Sequence, residues 1–547
     1  MAETIRLTMD GKAVEVDKGT SVIEAARKAG VMPPHYCYHP GLTVAGNCRM
    51  CLVEIEKMPK LVTSCTTQAA DGMVVLTRSD KVRKGVAGVE EFLLANHPLD
   101  CPICDQAGEC RLQEYSFKYG NAGSRFREHR MNFKKDVEIG PHVVLDSERC
   151  IMCTRCVRFC DEVTQSSELG VFQRGVHNEI GIFPGRPLAN DYSGNVVDIC
   201  PVGALTLKEF RFQKRVWFIR DVPSVCGACA NGCNVNLGTN ENRIYRLTPR
   251  ENQAVNGWWM CDEGRLSYRP ATESKRLADP ESRAGAAFEP ARLPDAAAKI
   301  ADRLKATGPS GTAVLASANL TVEDLWVVKR LAGEIGPALR VVVPERLRGV
   351  DDGFLIKADR TANRKGAALL GLDIDAGGGA TRALLDDVAS GRITTLLAIG
   401  EDVSTLPGGD RALAALGKGG QLLTVGPFAT AASEAAAVRV PAAAYGEFEG
   451  TYVNFSGMAQ RVRRAVTPRS SALPIWQFLA LVLQRLGVSA AYASPAEILR
   501  EVAGAVPAFE GVTFTSLGAG GRALAGPGPV AAIAPKGIPK VAGAARG

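Results

Sequence analysis

Residues 96–110 read NHPLDCPICDQAGEC, and this stretch narrows the class of protein more than any other part of the chain. Its three cysteines, Cys101, Cys104 and Cys110, are too few to complete the ligand set of a four-iron cube. His97 precedes them and follows a helix-like run, residues 86–95, so its neutral imidazole can supply the missing ligand. The stretch therefore predicts a 4Fe-4S site with one histidine and three cysteine ligands.

All sixteen cysteines fall between Cys37 and Cys261, and residues 262–547 contain none. In a reducing compartment, closely spaced thiols are metal ligands more often than disulfides. The spacing sorts them into four groups and leaves Cys160 over. The predicted ligands are Cys37, Cys48, Cys51 and Cys65 in the first group; His97, Cys101, Cys104 and Cys110 in the second; Cys150, Cys153, Cys156 and Cys200 in the third; and Cys226, Cys229, Cys233 and Cys261 in the fourth.

The first group follows a segment with the pattern of a small β-grasp unit. Thr4–Met9 alternates apolar and polar residues, an Asp-Gly turn follows, and residues 12–16 predict the returning strand. A helix capped by Thr20 or Ser21 should come next and end at Gly30. The spacing C-x10-C-x2-C-x13-C favours a 2Fe-2S centre, because a four-cysteine zinc site would more often show two C-x2-C knuckles.

The third group begins with the run C-x2-C-x2-C at residues 150–156, which lets three thiolates converge on one cubane and requires a distant fourth. Cys160 has the spacing found in two-cluster ferredoxins, in which a proline follows that cysteine. Here Asp161 follows Cys160, whereas Pro201 follows Cys200. We therefore predict that Cys200 is the ligand and that Cys160 is a buried apolar side chain.

The fourth group has the spacing C-x2-C-x3-C-x27-C and extends from Cys226 to Cys261. Four thiolates suit a 4Fe-4S cluster, and Gly227, Gly232 and Gly257 ease the turns between them. Zinc remains the alternative at this group, since four thiolates bind either metal well.

The bulk composition limits the remaining possibilities. A length of 547 residues exceeds one hydrophobic core and predicts about three or four domains. No apolar run approaches the roughly 18 residues that span a bilayer. The net charge of +7 is dispersed and only 6% of the residues are aromatic, which argues against a nucleic-acid surface. The beginning of the chain shows no secretory signal pattern, so we expect a cytosolic location.

The cysteine-free half predicts a doubly wound, mainly parallel sheet, because short apolar strands alternate with amphipathic helices. The predicted strands are Thr312–Ala316, Arg340–Val343, residues 394–399 and residues 422–425, with a helix over residues 322–334. Residues 518–523, GAGGRA, imitate a dinucleotide-binding motif, but prolines follow instead of a helix, so we expect a flexible linker. Residues 526–547 predict a flexible tail.

Three motifs carry a family resemblance: GNCRMC at residues 46–51, NHPLDCPICDQAGEC at residues 96–110 and ERCIMCTRCVRFC at residues 148–160. With the order of the four groups, they resemble the G subunit of bacterial NADH:quinone oxidoreductase, the iron-sulfur subunit in the peripheral arm of respiratory complex I. The resemblance implies a multidomain α+β and α/β fold. Its expected domains are a β-grasp 2Fe-2S ferredoxin domain (1–80), a small helical His(Cys)3-ligated 4Fe-4S domain (81–120), a 4Fe-4S ferredoxin-like domain (121–218), a 4Fe-4S domain of the Mo/W bis-MGD type (219–275), a shortened, degenerate molybdopterin-oxidoreductase-like α/β domain (276–525) and the tail (526–547).

The resemblance also implies a function. The chain would relay electrons from an NADH and flavin module toward quinone, in a complex that couples this transfer to proton translocation. The first group would receive electrons, the third would relay them and the second would deliver them, with the fourth off the main route. One 2Fe-2S and three 4Fe-4S clusters are expected, and molybdopterin is not. We expect no catalytic residue and no cofactor-binding residue beyond the cluster ligands.

The implied partners are the other peripheral-arm subunits: the flavin- and NADH-binding subunit, a 2Fe-2S partner and the iron-sulfur subunits near the quinone site. The implied location is the cytoplasmic side of the cell membrane, which the chain would contact only through the complex.

Two further questions stay open at the level of sequence. An electron-transfer subunit of a NAD-linked hydrogenase or formate dehydrogenase is the alternative function, since those families share the first modules. Arg49, Arg155 and Arg158 lie within the ligand runs, where they could raise the potentials of anionic clusters or could instead be solvated or face a partner.

Overall fold

The computed structural model describes residues 3–524, with the backbone alone at Glu273. These residues form two compact units, residues 3–219 and residues 220–524. The predicted tail, residues 526–547, lies outside the described residues. Within residues 3–524 no helix combines the length and apolarity needed to cross a bilayer.

The first unit consists of short strands and helices joined by long loops. Its strands are β1 (Thr4–Met9), β2 (Lys12–Asp17), β3 (Leu52–Ile55), β4 (Val62–Thr63), β5 (Val74–Leu76), β6 (Val137–Glu138), β7 (Val143–Leu145), β8 (Leu169–Phe172), β9 (Glu179–Ile182) and β10 (Leu205–Leu207). Its helices are α1 (Val22–Ala29), α2 (Asp80–Ala95), α3 (Arg111–Tyr119), α4 (Arg155–Arg158) and α5 (Asn195–Asp198).

The β-grasp prediction for the beginning of the chain is confirmed. Strands β1 to β5 form one sheet in the order β2-β1-β5-β3-β4, and α1 packs its apolar face against β1 and β2. Ser21 is the N-cap of α1, where its Oγ accepts from the backbone N–H of Glu24 at 3.4 Å. Gly30 ends the helix in the left-handed region at φ +72°, as its lack of a Cβ permits.

The second unit begins with an antiparallel sheet and continues into a large α/β region. Its strands are β11 (Arg220–Val225), β12 (Asn234–Asn240), β13 (Arg243–Pro249), β14 (Glu281–Ala284), β15 (Ala287–Pro290), β16 (Thr312–Ala316), β17 (Arg340–Val343), β18 (Asp373–Ile374), β19 (Thr395–Ile399), β20 (Gln421–Gly426), β21 (Val438–Pro441), β22 (Gly450–Val453), β23 (Met458–Val462) and β24 (Arg522–Ala523). Its helices are α6 (Asp262–Leu266), α7 (Arg269–Glu273), α8 (Leu293–Thr307), α9 (Val322–Ile335), α10 (Arg364–Leu369), α11 (Gly379–Ala389), α12 (Gly409–Leu416), α13 (Ala431–Ala435), α14 (Ile475–Leu486), α15 (Pro495–Ala505) and α16 (Phe514–Leu517).

The doubly wound sheet predicted for the cysteine-free half is confirmed. Its strand order is β15-β14-β21-β20-β19-β16-β17-β18, parallel from β21 to β18, with antiparallel β14 and β15 at one edge. The chain builds outward from β16 to β18 and then crosses to β19, so the order reverses between β16 and β19. Helices α8, α9, α14 and α15 cover one face and α11, α12 and α13 the other.

The prediction of a flexible linker over residues 518–523 is wrong for its last two residues. Arg522 and Ala523 form β24, which pairs antiparallel with β23, so that Arg522 lies opposite Ala459. Gly521, at φ +92°, permits the turn into this strand. The free edge of β23 supplies hydrogen-bond partners that the local composition does not reveal.

Candidate iron-sulfur centres

His97 and two of its predicted partner thiols line one cavity of about 460 Å³ in the first unit, at the end of α2. His97, Cys101 and Cys110 all contribute to its wall. The His97 Nδ1 atom is buried and has no hydrogen-bond partner among the described residues. Burial, with a smaller contribution from the Arg149 guanidinium, lowers the pKa of His97 to about 4. The imidazole is therefore neutral at physiological pH and can offer a nitrogen lone pair to iron.

The loop that carries the second group is anchored by arginine side chains. Arg215 Nη1 donates to the Cys104 carbonyl at 2.6 Å, and its other terminal nitrogen donates to the Pro102 carbonyl. Arg149 Nη2 donates to Asp100 Oδ2 at 2.9 Å. Burial raises the pKa of Cys104, whereas Cys101 is exposed. The loop thus presents one thiol near the surface and holds another inside the unit.

The first group places its thiols in two contacting pairs. The Cys37 N–H donates to Cys48 Sγ at 3.4 Å. A hydrogen bond from Cys48 lowers the pKa of Cys37 to about 5, and one from Cys65 lowers the pKa of Cys51 to about 7. One thiol of each pair, Cys37 or Cys51, is therefore biased toward the thiolate that iron requires, whereas the same hydrogen bond raises the pKa of its partner, Cys48 or Cys65. The pairs lie beside the sheet, where Cys51 and Cys65 pack against Ile23 of α1.

The third group converges on a small apolar cavity in the first unit. All four of its predicted ligands line this cavity, and Cys160 is not among the lining residues. Met152 and Thr154 adopt φ angles of +51° and +60°, which bend the chain tightly between the ligands. Burial raises the pKa of Cys160 to about 12, so its thiol stays protonated at physiological pH. The cavity-lining ligands are Cys150, Cys153, Cys156 and Cys200.

The fourth group lies at the hairpin between β11 and β12 and at the start of α6. The Cys226 N–H donates to the Cys233 carbonyl at 2.8 Å, and Asn231 Nδ2 donates to Cys233 Sγ at 3.0 Å. Cys261 caps α6, where its Sγ accepts from the Gly264 N–H at 3.2 Å. A Cβ on Gly264 would lie 3.2 Å from the sulfurs of both Cys226 and Cys261, so these two thiols meet against the same glycine.

The described residues contain no set of three or more histidine, cysteine, aspartate or glutamate side chains arranged to hold a single metal ion. The four groups are therefore defined by the pairwise contacts and shared cavities given above. The first three lie in the unit of residues 3–219 and the fourth in the unit of residues 220–524.

Two buried or half-buried arginines connect the first group to the third. Arg158 Nη2 donates to the Cys37 carbonyl at 2.6 Å and to the Cys153 carbonyl at 3.3 Å. Arg155 Nη1 donates to the Ile199 carbonyl at 3.0 Å, and Nη2 donates to the Tyr38 carbonyl. Both guanidinium groups thus join residues at or beside ligands of different groups. Arg49, in contrast, is exposed.

A glycine connects the third group to the second. A Cβ on Gly203, three positions after Cys200, would overlap Cys104 Sγ. The Arg111 N–H, directly after Cys110, donates to the Pro201 carbonyl at 3.1 Å. Sequence reasoning missed Gly203, Asn231 and Gly264, because their importance depends on which distant sulfur packs against each of them.

Four family models match the chain. They are the 2Fe-2S iron-sulfur cluster binding domain at residues 2–80, the NADH-ubiquinone oxidoreductase-G iron-sulfur binding region at residues 87–125, the NADH-quinone oxidoreductase subunit 3 ferredoxin-like domain at residues 140–206, and the molybdopterin oxidoreductase Fe4S4 domain at residues 219–270. The predicted fold class, a multidomain protein with 2Fe-2S, 4Fe-4S and molybdopterin-oxidoreductase-type domains, is confirmed.

Several curated proteins are similar to this chain. The G subunit of the NADH-quinone oxidoreductase of Rickettsia bellii is 41% identical over 332 residues, which are 61% of this chain and 48% of that protein. The mitochondrial NADH-ubiquinone oxidoreductase 78 kDa subunit of Neurospora crassa is 44% identical over 337 residues, 61% of this chain and 45% of that protein. The G subunit of the Streptomyces coelicolor NADH-quinone oxidoreductase is 40% identical over 333 residues, which are 60% of this chain and 39% of that protein. The matched part of the chain thus spans about half the length of these relatives or less.

Among solved structures, a chain of a NAD+-reducing [NiFe]-hydrogenase in the H2-reduced state is 29% identical, with a TM-score of 0.33, and the match covers 39% of this chain and 91% of that chain. The family models and the curated relatives agree with each other and with the cysteine motifs. The chain carries 2Fe-2S and 4Fe-4S binding domains, and its predicted resemblance to the G subunit of NADH-quinone oxidoreductase is confirmed.

Proposed function

We propose that this chain is the iron-sulfur electron-transfer subunit of a NADH-quinone oxidoreductase and holds one 2Fe-2S and three 4Fe-4S clusters on the sixteen predicted ligands. The second group carries the proposal. A neutral, half-buried His97, whose buried Nδ1 has no hydrogen-bond partner among the described residues, shares a cavity with cysteine thiols inside the region that matches the NADH-ubiquinone oxidoreductase-G model. A buried ring nitrogen with no hydrogen-bond partner is costly unless a ligand uses it, which an iron atom would do.

When bound, the clusters supply one-electron transfer, here from an NADH and flavin module toward quinone. The residues around them exclude water and fix the positions of the thiolates. Cys153 and Cys156 are buried, as are Cys229 and Cys233. Burial raises the pKa of each of these thiols, so their deprotonation would accompany metal binding. We assign no catalytic residue to the chain itself.

The contacts between groups support the order first, third, second along the proposed relay. Arg158 bridges backbone carbonyls of the first and third groups, and Gly203 brings the third group against a sulfur of the second. The first and second groups are thus each joined to the third. We propose that the fourth group, which belongs to the other compact unit, lies off this route, as the family resemblance implies.

The proposed domain boundaries follow the same evidence. The family models match within residues 2–80, 87–125, 140–206 and 219–270, and the contact boundary between the two units falls after Ile219. These ranges support boundaries near residues 80, 120, 218 and 275.

Iron and acid-labile sulfide counts on anaerobically purified protein test the cluster content. We expect about fourteen irons per chain, from one 2Fe-2S and three 4Fe-4S clusters. A count lower by about four, with zinc in the same preparation, would identify the fourth group as a zinc site. Colourless protein without a paramagnetic signal after dithionite reduction would refute the electron-transfer function.

Affinity purification from the native membrane tests the proposed partners and location. We expect a flavoprotein, a 2Fe-2S protein and quinone-proximal iron-sulfur subunits to co-purify. We expect the complex to hold these subunits on the cytoplasmic side of the membrane. Recovery of a hydrogenase or formate dehydrogenase core instead would establish the alternative function.

A further inference from the structure

A cavity of about 670 Å³ in the second unit lies at the carboxyl ends of the parallel strands. Ser317 follows β16 directly and Gly400 follows β19 directly, and both line this cavity. Strands β16 and β19 are the neighbours between which the strand order reverses. Open α/β sheets bind ligands in the crevice at this switch point. Both the position and the volume are those of a small-molecule site.

The walls of the cavity are mainly aromatic and apolar. Phe428, Tyr445, Phe448 and Tyr452 contribute rings, with Leu266 near the end of α6. The tyrosine hydroxyls already have partners. Tyr445 donates to the Val225 carbonyl at 2.8 Å, and Tyr452 donates to the Asn319 carbonyl at 2.9 Å. These hydrogen bonds fix the orientations of the two tyrosine rings in the wall.

The wall also contains a guanidinium group, which can donate hydrogen bonds. Arg360 lines the cavity, and its side chain is 18% exposed. Its Nη1 lies 3.1 Å from Glu263 Oε2, which offsets part of the guanidinium charge, while Glu263 Oε1 also pairs with Arg348 Nη1 at 3.3 Å. Arg360 can thus donate a hydrogen bond to an uncharged acceptor without requiring an anion.

The cavity is unsuited to a phosphate-bearing cofactor. In a doubly wound fold the first turn of the helix after the central strand usually supplies free N–H groups to a phosphate. Here that helix is α9, and Asp324 in its first turn lines the cavity. Thr321 Oγ1 already accepts from the Asp324 N–H at 3.1 Å. With Glu263, the wall contains two carboxylates and one guanidinium, which disfavours a polyphosphate.

We propose that this cavity is a binding site for an uncharged, planar aromatic molecule that carries a hydrogen-bond acceptor, and that it excludes nucleotides and other phosphate-bearing cofactors. The rings of Phe428, Tyr445, Phe448 and Tyr452 contact the ligand, and Arg360 donates to its acceptor. The cavity adjoins the fourth group, because Gly227 and Ala228, between the predicted ligands Cys226 and Cys229, line it, although no predicted cluster ligand does.

The test is equilibrium dialysis of the full-length, cluster-loaded, oxidised protein with 7-methoxycoumarin, a fluorescent, uncharged planar ring with a carbonyl acceptor. We expect saturable binding at about one molecule per chain and no competition by adenosine 5′-diphosphate. Leu266→Trp places a bulky ring in the wall and should weaken binding by roughly tenfold or more. Leu347→Trp is the matched control, since Leu347 is exposed and does not line the cavity, and it should bind as the unmodified protein does.

Arg360→Met removes the donor while keeping the length of the side chain, and should weaken binding by roughly tenfold. If this variant fails to fold, Leu266→Trp still decides the question. The proposal is overturned if 7-methoxycoumarin shows no saturable binding, if Leu266→Trp binds as tightly as Leu347→Trp, or if adenosine 5′-diphosphate displaces the coumarin.

Discussion

The protonation and pairing of single side chains decide which residues of the first unit can hold iron. His97 is neutral because burial lowers its pKa to about 4, and its Nδ1 has no partner among the described residues. A thiolate at the same position would add a negative charge to the cluster. If His97 is replaced, we therefore expect the reduction potential of the second group to change more than the assembly of its cluster.

His97→Cys tests this directly. We expect a cubane to assemble with a reduction potential lower by on the order of 100 mV, because an added negative charge opposes reduction. Redox titration followed by electron paramagnetic resonance measures the shift. His177→Cys is the control, since His177 is exposed and is not in a ligand group, and it should leave every potential unchanged. An unchanged titration of His97→Cys would count against His97 as a ligand.

Arg158 acts through both its charge and its geometry, because it donates to the Cys37 and Cys153 carbonyls. Arg158→Met should lower the potentials of the first and third groups by roughly tens of millivolts, since a nearby positive charge is lost. Arg158→Lys keeps the positive charge but loses the planar fork. It should therefore preserve the reduction potentials of the two groups but slow electron transfer between them. Redox titration and freeze-quench kinetics separate the two effects. Equal behaviour of both variants in both measurements would show that the fork has no positioning role.

At the scale of elements, the loops that carry different ligand groups pack against each other at glycine residues. Gly203→Ala should disrupt the second group, because its Cβ would overlap Cys104 Sγ. We expect loss of most of the second cluster's paramagnetic signal and about four irons fewer per chain. Gly88→Ala within α2 is the matched control, since a Cβ there meets nothing within 4 Å, and it should retain full iron content. A full iron count in Gly203→Ala would contradict the close packing of the second and third groups.

Helix α9 carries a buried carboxyl group that makes the stability of the second unit depend on pH. Glu323 Oε2 and Oε1 accept from the N–H and hydroxyl of Thr451, each at 2.8 Å, and burial raises the pKa of Glu323 to about 7. The folded state therefore holds this proton more tightly than the unfolded chain, where the pKa is near 4.5. The resulting stability is fully present below about pH 4.5 and is lost as the pH rises through about 7.

Glu323→Gln removes this titration while keeping the shape of the side chain. Between pH 5 and 8 the free energy of unfolding should fall for both proteins. We expect the fall to be smaller for the variant than for the unmodified protein, with a difference of about 2 kcal/mol. Thermal and denaturant unfolding across this range measure the difference. Glu334→Gln, at an exposed position of the same helix, should follow the unmodified protein. Parallel pH profiles for Glu323→Gln and the unmodified protein would show that Glu323 does not titrate in this range.

At the scale of the whole molecule, the two units depend on iron to different extents. The core of the first unit includes cysteines of three ligand groups, such as Cys37, Cys110 and Cys153. The cores on both faces of the doubly wound sheet contain no cysteine among their described residues. Metal binding contributes folding free energy where ligands are part of the core.

Removal of iron and sulfide should therefore unfold the first unit selectively. Limited proteolysis of the apoprotein should degrade residues 3–219 and leave a resistant fragment that begins after Cys261, whereas the cluster-loaded protein should resist in both regions. Mass spectrometry identifies the fragment. If the apoprotein resists proteolysis throughout, the clusters contribute little to the folding of the first unit.

The sequence alone predicted the four ligand groups, and it correctly indicated the β-grasp pattern and the alternation of strands and helices in the cysteine-free half. These features are local: a ligand run places its thiolates within a few residues, and apolar periodicity directly reports a helix or strand. The bounds of β16 and the ends of α1 were predicted for this reason. The motif at residues 96–110 carried the family resemblance for the same reason.

Only the tertiary structure decided how these segments meet. It showed that the third cavity is lined by Cys200 and not Cys160, that Arg158 binds carbonyls of two groups while Arg49 is exposed, and that Gly203 lies against Cys104. It also revealed β24 on the edge of β23 and the aromatic cavity at the switch point. Each of these depends on packing between residues far apart in the chain, and the local spacing of residues does not contain that information.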